Sequence, residues 1–226
     1  MGNSFLLAVL TRPEFFPGEA GYLQGLLEAG AEKLHIRKPG ATVQEVEALI
    51  RQLPDHWYSR LVLHGSTEVR ALAAGLGIPQ VHGPVAYEGG RIMNGSRLSG
   101  GGGPEVIMGA GPDRRIPGAI AVSTSVHSPE ELDALPEGLA YAFLSPLFDS
   151  LSKPGYRGEP GLLARPEGRV GCKAIGLGGI GEATIGEVLA HGWEGAAVLG
   201  WIWDHPAEAV DRYKRLKKII HEYGAG

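Results

Sequence analysis

Short apolar runs recur along the chain, and each is followed by a stretch with helical spacing. The runs predict strands over Ser4–Thr11, Lys33–Lys38, Arg60–Gly65, Ile78–Gly83, Ala119–Ser125, Tyr141–Pro146, Cys172–Gly178 and Gly195–Ile202. The stretches between them predict helices over Pro17–Ala29, Val43–Leu53, Thr67–Leu76, Pro129–Leu135, Gly181–His191 and Pro206–Tyr223. Pro129 and Pro206 suit a first helical turn, where a missing N–H costs nothing. Ser128 with Glu131 reads as a capping box. Gly30, just past Glu28-Ala29, reads as a helix stop.

Strands that alternate with helices pair in parallel through right-handed crossovers. Eight of them in 226 residues predict a single (β/α)8 TIM barrel. An open doubly wound sheet is the runner-up. It is weakened because Leu10-Thr11-Arg12-Pro13, and no Gly-x-Gly-x-x-Gly, follows the first strand. The stretch Pro84–Gly118 breaks the alternation; it contains four consecutive glycines, Gly100–Gly103, and no long apolar period. It is expected to be an irregular loop replacing much of helix 4, with a short hairpin around Arg91–Leu98 or a shortened helix near Glu105–Met108. A loop of that length is either functional or a tolerated insertion. The expectation is one domain over 1–226, with a Gly-rich insertion at 84–118 and a C-terminal helix at 206–223.

Composition narrows the class. The chain has 36 Gly and 16 Pro, a high share, but 43% of its residues are hydrophobic and 20% charged. Disordered chains run the other way, so this is a folded chain rich in turns. Net charge is −4, which argues against nucleic acid or an anionic membrane as the main partner. Cys172 is the only cysteine, so no intrachain disulfide or multi-Cys metal site is available. The longest early apolar run, Phe5–Leu10, is far too short to span a membrane. A cytoplasmic location is expected.

In barrels the chemistry sits at the C-terminal ends of the strands. Residues two apart share a strand face, so His35 and Arg37 point inward if Leu34, Ile36 and Lys38 face the helices. His64 ends the third strand and His82 the fourth. Ser123 and Ser125 end the fifth, with His127 two residues on, and Ser145 ends the sixth. Each histidine has a plainer reading as a packed or solvated residue, and His56, His191, His205 and His221 fall where solvation is expected. His64 and His82 could share a metal, since imidazole suits zinc or iron. No His-x-His or His-Glu-x-x-His spacing accompanies them, and no carboxylate sits at a neighbouring strand end. No metal and no other cofactor is therefore expected. Gly178 and Gly179 end the seventh strand, and Gly200-Trp201 lies near the end of the eighth. Loops at these two strands often hold phosphate on backbone N–H groups; plain tight turns are the alternative. Ser150, Ser152 and Lys153, after the sixth strand, offer two hydroxyls and an ammonium for a phosphate or a polar ring substituent. The basic residues of Pro206–Tyr223 read as a solvated face. The four tryptophans read mostly as packing, with Trp201 a candidate to line a pocket.

An ordered set of these pieces resembles the thiamine phosphate synthase and thiazole tautomerase (TenI-type) superfamily. The set comprises Leu34-His35-Ile36-Arg37-Lys38, Val81-His82, Ser125-Val126-His127-Ser128, Ser145–Lys153, Leu177-Gly178-Gly179-Ile180 and Gly195–Gly200. It covers most of residues 4–204. The resemblance implies one of two activities. A synthase joins a pyrimidine pyrophosphate to thiazole phosphate with magnesium; a tautomerase aromatises a thiazole phosphate tautomer by moving a proton, without metal. The synthase pattern carries Asn-Asp at the end of strand three, where His64-Gly65 stands here, and an Asp after strand four, where Pro84–Tyr87 offers none. Its Gln-x-Arg-x-Lys on strand two becomes His35-Ile36-Arg37-Lys38-Pro39. The tautomerase branch is the closer match. It implies His127 as the acid–base catalyst, with Arg37 and Lys153 orienting the substrate. His35, His64, His82 and Ser125, by their strand-end positions, and Ser150 and Ser152 are further expected substrate contacts. Phosphate would rest on the backbone at Gly178, Gly179, Gly200 and Trp201. The expected partner is a small phosphorylated thiazole; a homodimer stays open. A paralogue with a different azole or pyrimidine substrate and a non-catalytic thiazole phosphate binder are the other readings.

Overall fold

Eight strands lie side by side, all parallel, and the last pairs with the first to close a barrel. The computed structural model describes residues 5–83, 86–88, 91–93, 121–149, 157–165 and 172–224. In chain order the strands are β1 (Leu6–Leu10), β2 (Lys33–Ile36), β3 (Leu61–His64) and β4 (Gln80–His82), then a separate antiparallel pair, β5 (Ala86–Glu88) and β6 (Arg91–Met93). β7 (Ala121–Val126), β8 (Tyr141–Leu144), β9 (Lys173–Leu177) and β10 (Gly195–Val198) complete the ring. The helices are α1 (Glu19–Glu28), α2 (Val43–Ile50), α3 (Thr67–Leu76), α4 (Pro129–Asp133), α5 (Ile185–Ala190), α6 (Gly200–Trp203) and α7 (Ala209–Gly224). The expected (β/α)8 barrel is the fold.

Strand alternation splits the core into two layers. Leu7, Val9, Leu34, Ile36, Leu61, Leu63, Ala142 and Leu144 face the helices and join the larger buried cluster. Leu6, Ala8, Leu10, Tyr141, Phe143, Ile175 and Ala197 fill part of the lumen as a second cluster. α7 lays Ala209, Tyr213 and Leu216 on the barrel, and its Arg215, Lys217 and Lys218 pair loosely with Glu182, Glu32 and Glu222 at 3.2–3.7 Å. Exposed pairs of this kind contribute little to stability.

The helix ends follow the sequence with instructive exceptions. Gly30, at φ +95°, ends α1 as expected, with Ala31 N–H donating to Leu26 C=O and Gly30 N–H to Leu27 C=O. The reciprocal capping box is at Thr42 and Glu45, at the start of α2. Ser128 caps α4 by accepting from Glu131 N–H, but the Glu131 carboxylate accepts from His127 N–H instead of closing the box on Ser128. The eighth barrel strand stops at Val198, four residues short of the predicted Ile202. The remainder is α6, whose buried Ile202 and Trp203 mimic a strand's apolar run. Trp203 Nε1–H donates to Leu10 C=O at 2.6 Å and holds this short helix over the end of β1. The hairpin expected around Arg91–Leu98 occurs earlier, pairing Ala86–Glu88 with Arg91–Met93. The alternative helix near Glu105–Met108 lies outside the described residues.

Candidate active site at the C-terminal rim

Three neighbouring strands each send a histidine inward, His64 and His82 side by side in register and His35 opposite Val62. His35 comes from β2, His64 from β3 and His82 from β4. His35 is fully buried; His64 is half-buried at the end of its strand. His35 Nδ1 lies 2.8 Å from His64 Nε2, and the His64 and His82 rings stack at 4.2 Å between centroids. Across the lumen, Tyr141 Oη sits 2.6 Å from His35 Nε2. A neutral imidazole has one donor and one acceptor, so the bonds joining Tyr141, His35 and His64 run in one direction along the series, set by the His35 tautomer. His82 is held by two serines of β7: Nδ1 lies 3.0 Å from Ser123 Oγ, and Nε2 lies 2.9 Å from Ser125 Oγ. Phe143 packs against both His35 and His82, with ring centroids 4.9 and 5.0 Å away.

Burial dominates the electrostatics. It holds His35 and His64 well below the usual imidazole range, and neighbouring positive charge adds to the effect. Burial, with the Arg37 guanidinium, pushes His82 down to about 3. The trio is therefore neutral at pH 7. Arg37 itself is half-buried, just past β2. Its backbone is clamped by Thr11, whose Oγ1 accepts from Arg37 N–H at 2.9 Å and donates to Arg37 C=O at 3.2 Å.

His127 follows β7 on the same rim and is exposed. Its Nδ1 is 3.1 Å from the Ser145 carbonyl at the end of β8, and its own N–H is bound by Glu131 at 2.7 Å. The turns after β9 and β10 open on this rim too. Gly178 and Gly179 have φ of +105° and +62°, which a side chain rarely adopts. They also lie against the segment after β8: a Cβ on Gly178 would meet Pro146 Cα at 2.9 Å, and one on Gly179 would collide with Asp149 C=O. The glycines thus have a packing role whatever else they bind. Gly200 starts α6, the short extra helix that accompanies phosphate sites in many barrels. The Trp201 indole turns to the helix layer, against Gly181 and under the Arg212 and Arg215 guanidiniums. Its backbone N–H is the group left to face a ligand.

Other candidates separate from the site. Lys38, two residues past β2, is buried in an ion pair with Glu19 at 2.6 Å and also donates to the carbonyls of Arg12 and Glu14. Burial raises the Glu19 pKa and lowers that of Lys38, with the pair's own attraction opposing both shifts. This lysine does not serve the lumen. Ser150, Ser152 and Lys153 lie outside the described residues. His56, His191, His205 and His221 are exposed, as expected. Sequence reasoning missed Tyr141 and Phe143 as neighbours of the histidines. Their shared face on β8 was readable from the two-residue spacing, but the partner across the lumen was not.

No protein-family model matches the chain. A thiamine-phosphate synthase of Listeria welshimeri is 34% identical over 90 residues, which span 38% of this chain and 43% of that protein. A Geobacter sulfurreducens protein provisionally named thiamine-phosphate synthase is 29% identical over 204 residues, covering 88% of this chain and 85% of its own. Both relatives carry the thiamine-phosphate synthase name, and the chain is similar in sequence to that superfamily. Among solved structures, thiamine phosphate pyrophosphorylase from Bacteroides thetaiotaomicron superposes with a TM-score of 0.67 at 24% identity over 95% of this chain and 96% of that one. That likeness shows the barrel fold.

Magnesium, which a synthase of this superfamily implies, takes oxygen ligands, mostly carboxylates and phosphates. Among the described residues, the ends of β3 and β4 present His64-Gly65 and His82-Gly83. That donor set is nitrogen and does not fit magnesium.

Proposed function

We propose that this protein is a thiazole phosphate tautomerase, an isomerase of thiamine biosynthesis that moves one proton by means of His127. The observation that carries this reading is the 3.1 Å bond between His127 Nδ1 and the Ser145 carbonyl. A carbonyl oxygen only accepts, so Nδ1 bears the hydrogen and Nε2 keeps its lone pair as a base. Nε2 takes the proton from the ring carbon of the thiazole tautomer. The bonding pair shifts through the conjugated system, and the imidazolium returns the proton to the exocyclic carbon. No metal takes part in this step. Arg37 and Lys153 orient the charged groups of the substrate, and the backbone of Gly178, Gly179, Gly200 and Trp201 holds its phosphate. Support for that end comes from the pairing of two terminal turns with the short helix α6.

His127→Asn is expected to lower the tautomerisation rate by about 10²–10⁴-fold, the usual contribution of a positioned acid–base. An unchanged acceleration over the spontaneous rate removes His127 from the mechanism. Proton exchange with deuterated solvent separates an enzyme from a binder, since both bind thiazole phosphate and only the enzyme speeds exchange.

The names of the relatives favour a second reading, transfer of hydroxymethylpyrimidine from its pyrophosphate to thiazole phosphate. The imidazole donors at β3 and β4 weigh against it. Tight, magnesium-dependent binding of the pyrimidine pyrophosphate would restore it.

A further inference from the structure

We propose that His35, His64 and His82 form a binding site for a divalent transition-metal ion, zinc or cobalt, at the C-terminal ends of β2, β3 and β4. One ring nitrogen from each residue lies within 4.8 Å of the others, and two of them are already 2.8 Å apart. Bonds of about 2.0–2.1 Å in tetrahedral geometry need nitrogens roughly 3.3 Å apart. The trio therefore reaches a coordinating geometry by a shift on the order of 1 Å. His64, half-buried at the end of its strand, is the member with room to move.

The surroundings suit such an ion. Three imidazoles with one position open form a recurring zinc donor set, and imidazole binds zinc, cobalt and nickel where magnesium needs oxygen. A histidine ligand donates its outer N–H to a partner, and acceptors are in place: Tyr141 Oη for His35 Nε2–H and Ser123 Oγ for His82 Nδ1–H. Ser125, the second partner of His82, is exposed, so its hydroxyl can turn to water and leave a ring nitrogen open. Arg37 adds positive charge beside the trio, so the open position favours an anion, a hydroxide or a substrate oxygen. The proposal is independent of the tautomerase reading, because occupancy is measured without activity.

The full chain, stripped with a chelator, is titrated with Co²⁺ and then Zn²⁺, followed by cobalt absorption and calorimetry. The expected result is one ion per chain. His64→Ala and His82→Asn should each weaken binding by more than the 10–100-fold typical of outer partners. His191→Ala, at an exposed helix end, should leave it unchanged. Thermal unfolding checks that each variant is folded. Anomalous scattering at the zinc edge, from crystals of the unaltered protein, locates the ion even if a variant does not fold. Failure to bind at equimolar metal overturns the site. So does undiminished binding in both folded trio variants, or an ion located elsewhere.

Discussion

The two halves of the barrel lumen follow different rules. β1, β8, β9 and β10 fill one side with Leu6, Ala8, Leu10, Phe143, Ile175 and Ala197. β2, β3, β4 and β7 fill the other with His35, His64, His82 and Ser123, and add Gln80 on the same face of β4 as His82. Tyr141 stands at the seam, within the apolar cluster by its ring and bonded to His35 by its hydroxyl. The apolar half contributes stability through burial alone, at any pH. The polar half contributes only while its groups stay neutral and paired, since a buried polar group without a partner is costly. Among the described residues, the lumen's imidazoles all lie in that second half, so the molecule carries its risk where it carries those groups.

The largest break in this contrast should come from Phe143→Ala. Phe143 is fully buried, and its loss is expected to cost about 3–5 kcal/mol in denaturant unfolding. The loss should be the same at pH 7 and pH 8; a strong dependence on pH in that range would show that Phe143 acts through the histidines.

Acidification should act on the polar half alone. The folded pKa values of the trio lie below the ordinary imidazole value, so the unfolded chain takes up protons first as pH falls. Stability is full above about pH 6.5 and declines below it, through a window that for His82 extends to about 3. Between pH 7 and pH 5, His82 alone should cost about 2 kcal/mol. His82→Asn should reduce the slope of unfolding free energy against pH; an unaltered slope would place the dependence elsewhere.

Tyr141→Phe sharpens the seam. It leaves the ring in place and strands His35 Nε2, at an expected cost of about 1–3 kcal/mol measured in urea. A neutral outcome would mean that His35 finds another partner.

Much of this was legible in the sequence, and the reasons are local. Apolar runs located all eight barrel strands, and two-residue alternation put His35 inward and Lys38 outward. What alternation supplies is a face, never a partner. Tyr141 meets His35 across 106 residues only because the ring closes. Glu19 meets Lys38 only because the first turn of α1 lies against the segment that follows β2. The end of β10 was misread because Ile202 and Trp203 are as buried in a helix as they would be in a strand. Glu131 looked like a partner for Ser128, whereas the chain's entry into α4 hands it the His127 N–H.

The Thr11 clamp on Arg37 has an entropic consequence. Both the N–H and the C=O of Arg37 are spent on one buried hydroxyl of the adjoining strand. The main-chain freedom of this residue is surrendered at folding, not at ligand capture. An incoming anion has only the arginine's side-chain torsions left to freeze, and that preorganisation is free energy the complex keeps as affinity.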